Sequence, residues 1–416
     1  MQLPQGTTVR TTLKSGIEVV SFLSSGGQGF VYKARYLDTG ELGILKIFKD
    51  EYVNADSAKR AEFLVVQQLH KKHICFAAPS EVIIQKPRIG HFSRLAKGVK
   101  ADDFLYDENE TYPYIQSVEL ALAIVGALEY LHSLGIIHGD IHPGNLYISR
   151  VGSVLYVEII DFDNFRAKGL PLPSAVGHIL YLAPELRKAL AACKPAVPDE
   201  YTERYAVTVL MHEILLSKHP ASGYDRTSAE MNHAMSLGVW LHDPFISSKV
   251  DVPNGLPSFI LDYELASLFR RGLGKDPEAR PSASEWRAVL QKALDRIFIC
   301  PLCGSPCFVD VSKKSCPVCL KNYPNLNLVT SSGKVICLDN GCIRIGRTEL
   351  EGARTVSALH AVFRQVGPFV YVENVGVNGT YKREKNGIWT HVKDREPLLV
   401  ETGDVLRLAD VEVKIE

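Results

Sequence analysis

The sequence predicts a multidomain chain: an α+β unit of two lobes, then a small cysteine-rich module, then an all-β sandwich. Three observations carry this. Short runs of alternating apolar and polar residues over 13–95 give way to mainly helical sequence over 115–297. Five of the nine cysteines fall between Cys300 and Cys319. From Lys334 onward, short strand-like runs are separated by Gly and Asn turns.

A length of 416 residues is that of about two or three domains. Hydrophobic content of 46% and charged content of 23% are those of a soluble globular protein. Lys plus Arg (47) equals Asp plus Glu (47), so no global field attracts nucleic acid or acidic lipid. The run Met1–Gly6 lacks the charged-then-apolar order of a secretory signal. The longest apolar helix candidate, Val118 to Leu131, carries Glu119 and Glu129 and is short for a bilayer. A cytoplasmic chain with no membrane partner is expected. In that reducing compartment, close-spaced cysteine pairs point to metal rather than disulfides.

In the first lobe, Ser24-Ser25-Gly26-Gly27-Gln28-Gly29 joins the runs Ile17–Leu23 and Phe30–Arg35. Glycines let a backbone turn lie against phosphates. Lys46 is the one cation in the apolar strand Gly43–Ile47, and Glu62 on a helix over Ser57–Leu69 is an available partner. The second lobe holds Ile137-His138-Gly139-Asp140-Ile141-His142-Pro143-Gly144-Asn145-Leu146, after a long apolar helix and before a strand. Phosphoryl transfer needs a carboxylate to accept or orient the nucleophile's proton and an amide oxygen to hold metal on the phosphates; Asp140 and Asn145 supply them. The apolar strand Val154–Ile160 ends in Asp161-Phe162-Asp163, where a carboxylate can complete a magnesium site with Asn145. Gly177-His178 to Ala183-Pro184-Glu185 and Leu273 to Arg280-Pro281 follow.

In this order the motifs of residues 1–297 resemble a eukaryotic-like (Hanks-type) Ser/Thr protein kinase. The resemblance implies the bilobal α+β kinase fold, an N-lobe over about 13–95 and a C-lobe over about 96–297, with ATP and Mg2+ as cofactors. It implies that Lys46 grips the α/β phosphates and pairs with Glu62, that Asp140 is the catalytic base, and that Asn145 and Asp161 hold magnesium. Ser24, Gly26 and Gly29 would form the phosphate loop; Val31, Ile44 and Tyr147 would enclose the adenine, with Phe92 as gatekeeper. Glu185 would pair with Arg280.

The departures are Ser24 for the first loop glycine, Ile44 for a small Ala, Gly139 for Arg, His142 for Lys, Asp163 for Gly and Glu203 for Asp. None removes a phosphate, metal or base ligand, so an active kinase is expected over a pseudokinase scaffold. The His-Gly-Asp-x-His-Pro-Gly-Asn form also resembles small-molecule kinases of the aminoglycoside and choline type. Those usually lack the Ala-Pro-Glu and late Arg present here. Between Asp161 and Glu185 the hydroxyls are Ser174 and Tyr181, so loop phosphorylation is a poor means of control.

Cys300-Pro301-Leu302-Cys303 and Cys316-Pro317-Val318-Cys319 set two thiolate pairs on tight turns, which suits tetrahedral Zn2+. Backbone amides of the knuckle ending in Gly304 can point at the sulfurs; Cys307 could substitute for one ligand. The stretch 298–328 resembles a zinc ribbon, folded by on the order of 10 kcal/mol of metal binding. With only Lys313, Lys314 and Lys321 and few aromatics, it reads as a spacer or docking element, not a nucleic-acid binder.

Residues 334–416 contain Ile345-Gly346-Arg347, Ser357-Ala358-Leu359-His360 and Asn378-Gly379-Thr380. They resemble a forkhead-associated (FHA) domain. That implies Arg347 and Ser357 on the phosphate of a phosphothreonine protein, Asn378 on its backbone, and His360 and Gly346 shaping the site. Ala358 and Val377 offer no polar group where many such domains do. Thr7, Thr8, Thr11 and Thr12 are candidate ligands in cis, read as lying outside the fold. The module order resembles kinases of bacterial phosphorylation triads, whose partners are a metal-dependent protein phosphatase and a von Willebrand A-type protein.

Overall fold

The computed structural model describes residues 2–416 except 86, 106–112, 153, 174–176, 223–227, 245–255, 309–313, 324, 339–341, 385 and 395. Ser174 therefore lies outside the described residues. The chain forms two units: Met1–Ser258 with Tyr263–Asp295, and Phe259–Asp262 with Arg296–Glu416.

The first unit opens with six antiparallel strands: β1 Thr8–Arg10, β2 Gly16–Ser25, β3 Gly29–Tyr36, β4 Leu42–Phe48, β5 Pro79–Gln85 and β6 Arg88–Arg94, in spatial order β1-β2-β3-β4-β6-β5. Their period-two patterning buries Val9, Ile17, Tyr32, Leu45 and Phe92 on one face. The early threonines are in or tied to this sheet, which corrects their reading as lying outside the fold. Thr8 pairs with Glu18 in β1–β2, Thr11 is buried, and the Thr12 amide donates to the Val82 carbonyl.

Helix α1 runs Ala55–Gln67, two residues earlier than the predicted Ser57–Leu69. Asn54 caps it, accepting from the Asp56 and Ser57 amides, and Gln68 ends it in the left-handed region at φ 50°.

Beyond the sheet, α2 spans Tyr114–Ser133, α3 Glu200–Leu216 and α4 Ala283–Leu294. The predicted limits of α2 were too short. Its 20 residues are long and apolar enough to cross a membrane by length and composition. Here Leu120, Ile124, Leu128 and Leu131 are fully buried, and the helix packs on α3 and α4 as a core element.

Strands β7 Leu146–Val151 and β8 Val154–Ile159 form a hairpin in which Leu146 faces Ile159. That register brings the residues flanking it, Asn145 and Asp161, to the same end. The Ile160 amide donates to the Asn145 carbonyl at 3.0 Å.

The second unit begins with a hairpin of Ile297–Ile299 and Pro306–Phe308. Two sheets follow. One has six strands, in order Val335–Cys337, Asn327–Thr330, Val411–Ile415, Val405–Leu408, Thr380–Arg383 and Trp389–Val392. The other has four: Cys342–Ile345, Ala361–Val366, Phe369–Asn374 and Leu398–Val400. They share a core of Leu328, Phe363, Val372, Leu406 and Val413. The sheet takes in Asn327–Thr330, upstream of the expected start at 334, because that strand pairs with the closing one.

Candidate functional site

The loop that carries Asp140 is held from several sides. Glu203 on α3 accepts from the Gly139 amide at 2.6 Å and pairs with His132 of α2 at 2.6 Å. The longer Glu thus reaches the loop backbone where an Asp was usual. Gly139 has φ +78°, and a Cβ there would sit 2.4 Å from the Asn164 carbonyl oxygen. An Arg at this position would be strained and would clash, which accounts for that departure.

Asp140 accepts from the His178 amide at 2.8 Å through Oδ1 and from the Asn164 amide group at 3.1 Å through Oδ2. His142 Nε2 lies 3.7 Å from Oδ1. Burial holds the His142 imidazole below its ordinary pKa despite the nearby carboxylate. Its Nδ1 accepts from the Gly144 amide, so in the neutral ring the proton sits on Nε2. His142 offers a donor near Asp140, not the permanent cation of a Lys.

Asn145 Nδ2 donates to the Asp140 carbonyl at 2.9 Å, which leaves Oδ1 free to act as a metal ligand. Asp161, with φ 56°, places its carboxylate in the same cleft. An amide oxygen and a carboxylate form a hard-oxygen donor set that fits Mg2+.

Lys46 Nζ lies 2.9 Å from Asp161 Oδ1 and 2.5 Å from Asp163 Oδ2. Burial alone would lower the Lys46 pKa; the charges of Asp163 and Asp161 outweigh it and hold the ammonium well above the ordinary lysine value. The expected partner is corrected: Glu62 is exposed on α1, and the inward-facing charged residue of that helix is Arg60. Its guanidinium donates to the carbonyls of Asp163, Phe165 and Pro171.

The cleft has a volume of about 410 Å³ and is lined by Ser24, Val31, Ile44, Lys46, Asn145, Tyr147 and Asp161. Gly26 and Gly29 form the hairpin turn above it, the Gly26 amide donating to the Gly29 carbonyl at 2.9 Å. Phe92 is corrected: it packs in the sheet core, and its neighbours His91 and Ser93 line the cleft. In the β4–β6 pairing Lys46 faces His91 and Ile44 faces Ser93, so strand alternation sends Phe92 to the other side. That parity is fixed by the β4–β6 register, not by the placing of Lys46 alone. Farther off, Arg280 donates to both Glu185 oxygens at 2.7 and 2.8 Å, as expected.

The model of the protein kinase domain family matches residues 17–292. The chain belongs to the protein kinase family. The kinase is 23% identical over 270 residues to a probable serine/threonine-protein kinase of Clostridium perfringens, covering 63% of this chain and 36% of that protein. It is 28% identical over 187 residues to one of Streptomyces coelicolor (43% and 24%). It is 25% identical over 248 residues to the probable serine/threonine-protein kinase PknB of Bifidobacterium longum (56% and 34%). The matched stretch is about a quarter to a third of each relative's own length.

In the kinase's second unit, the sulfurs of Cys300, Cys303, Cys316 and Cys319 lie within 4.8 Å of one another. The Leu302 and Val318 amides donate to the Cys300 and Cys316 sulfurs at 3.4 Å, the knuckle arrangement expected. Hydrogen bonds from Ser305 draw the Cys303 pKa down to about 6, and burial pushes Cys300 up to about 11. Four converging sulfurs are compatible with Zn2+. Cys307 is buried in the Pro306–Phe308 strand and is not one of the four.

Loops at one end of the sandwich gather the other predicted residues. Arg347 is exposed; its Nε donates to the Val356 carbonyl at 3.0 Å and its amide to the Ser357 carbonyl at 3.0 Å. Ser357 Oγ accepts from the Val377 amide at 3.1 Å, and Asn378 Nδ2 donates to the Thr355 carbonyl at 2.6 Å. Buried His360 ties the loops together: Nδ1 accepts from the Ser357 amide and Nε2–H donates to the Gly379 carbonyl at 2.9 Å. Gly346 permits this approach, since a Cβ there would fall 1.9 Å from the Ala358 carbonyl oxygen.

Proposed function

We propose that the chain is an ATP- and Mg2+-dependent serine/threonine protein kinase. The observation that carries this is the convergence of Lys46, Asn145 and Asp161 on one cleft, with Asp140 fixed beside it. Lys46 would bind the α/β phosphates. Asn145 and Asp161 would hold magnesium, which neutralises charge on the transferred phosphoryl group. Asp140 would orient the acceptor hydroxyl and take its proton. The Glu185–Arg280 pair supports a protein substrate over a small molecule, because small-molecule kinases of the aminoglycoside type usually lack that framework. The test is labelled ATP with Mg2+, beside Asp140→Ala. Phosphoserine or phosphothreonine lost in the variant is expected. No transfer to any protein, with nucleotide still bound, would replace this reading by a scaffold.

The cysteine cluster is proposed as a structural zinc ribbon and the sandwich as an FHA-type phosphothreonine reader, acting in cis or on a partner. Exposed Arg347 beside Ser357 and Asn378 supports the reader. Arg347→Ala should abolish binding of a phosphothreonine peptide library; equal binding by the variant would refute this role. A signalling complex with a metal-dependent protein phosphatase and a von Willebrand A-type protein is proposed on module order alone. Co-purification with tagged chain tests it.

A further inference from the structure

We propose that Asp163, backed by His91, positions Lys46 for the nucleotide phosphates, the task that the family resemblance assigns to a helix glutamate. This rests on the kinase reading above and deepens it. Three observations carry it. Lys46 Nζ is 2.5 Å from Asp163 Oδ2, and the Asp163 side chain is 5% exposed. Asp163 Oδ1 is in turn 2.8 Å from His91 Nε2, itself on β6 directly opposite Lys46. Glu62 is exposed on α1.

The two carboxylates on Lys46 are not equivalent. Asp161 is 38% exposed and lines the cleft, so a metal can draw it away from the ammonium. Asp163 is buried and lines the separate cavity behind the cleft, next to α1. It stays on Lys46 when nucleotide and metal arrive, and Lys46 keeps N–H donors for the phosphates. The anchor therefore sits on the same three-residue segment as the metal ligand Asp161. Helix α1 contributes by another route: Arg60 clamps that segment through the Asp163 and Phe165 carbonyls at 2.8 and 2.6 Å. Lysine orientation here needs no carboxylate from α1.

The test uses the full chain. Mg·ATP affinity and phosphotransfer are measured for wild type, Asp163→Asn, Glu62→Gln, Lys46→Met and the Lys46→Met/Asp163→Asn pair. Displacing Lys46 by about 1 Å is expected to lower kcat/KM for ATP about 100-fold in Asp163→Asn. Glu62→Gln is expected to stay within about twofold of wild type, because its side chain is outside the site. In the Lys46→Met background, Asp163→Asn should change Mg·ATP affinity by less than about twofold; a purely structural role would lower it equally in both backgrounds. Asp163→Gly, the residue usual at this position in the family, is the second variant if the amide does not fold, with the same loss expected. A larger loss in Glu62→Gln than in Asp163→Asn, or wild-type Mg·ATP affinity in Asp163→Asn, would overturn the inference. Wild type that binds Mg·ATP without transfer would instead overturn the kinase reading, and the affinity cycle would still decide on Asp163.

Discussion

Replacing Glu185 by alanine strands a charge inside the helical lobe. The Arg280 side chain is 0% exposed, and both Glu185 oxygens accept from it at 2.7 and 2.8 Å. Its other acceptor is the Tyr201 carbonyl at 3.0 Å, and the Tyr205 ring lies 5.3 Å from the guanidinium carbon. A guanidinium keeps its proton in the protein interior, so the variant must bury an unpaired cation. Breaking a buried pair costs about 3–5 kcal/mol. The Glu185 side chain is 37% exposed, so water can partly replace it, and the lower end, about 3 kcal/mol, applies. In a unit of this size that is roughly a 5 °C fall in Tm. Intrinsic fluorescence reads it, because Trp286 on α4 is fully buried in the same lobe. The double variant Glu185→Ala/Arg280→Met removes the stranded charge. It should recover about 1–2 kcal/mol relative to Glu185→Ala. A single variant within about 1 kcal/mol of wild type, or a double variant no more stable than the single, would refute the reasoning.

Three other expectations follow from the same geometry. His219 is buried, and its pKa is lowered to about 4, by burial first. Its Nε2–H donates to the Leu180 carbonyl while Nδ1 accepts from the Ala221 amide, so only the neutral ring satisfies both. The unfolded value is about 6.5, so this contribution is complete above that pH and is lost as pH falls from about 6.5 to about 4. About 3 kcal/mol is at stake; thermal melts from pH 7.5 to 4.5 should show a flatter acid limb in His219→Gln, and parallel limbs would contradict this. Purified chain should carry one zinc by metal analysis, lost in Cys316→Ser; a chelator should lower the second unit's melting transition and leave the first unchanged. Ser93→Phe should raise KM for ATP at least about tenfold by filling the cleft. Phe92→Ala should instead cost about 3 kcal/mol of stability and leave KM unchanged, and the opposite pattern would restore Phe92 as gatekeeper.

Most of the candidate site was readable from the chain because it is local. Asp140 and Asn145 share one tight loop, Asp161 follows one hairpin later, and each cysteine pair closes one knuckle. Such short spacings leave the backbone little choice, so motif order alone indicated the cleft, the four-sulfur cluster and the clustered loops around Arg347. Strand parity was almost readable. His91, Phe92 and Ser93 alternate faces, but which face meets the cleft depends on the β4–β6 register, a pairing between segments far apart in sequence.

The partner of Lys46 was decided by tertiary structure alone. Arg60 and Glu62 stand two residues apart on α1, about 200° around the helix, so only one can face inward. The carbonyls of Asp163, Phe165 and Pro171 recruit the arginine, and the glutamate is left in solvent. The lysine then takes the nearest buried carboxylate, Asp163. Local spacing determined which residues meet in the cleft. How the helix turns against the sheet, a matter of long-range packing, determined which charge holds the lysine there.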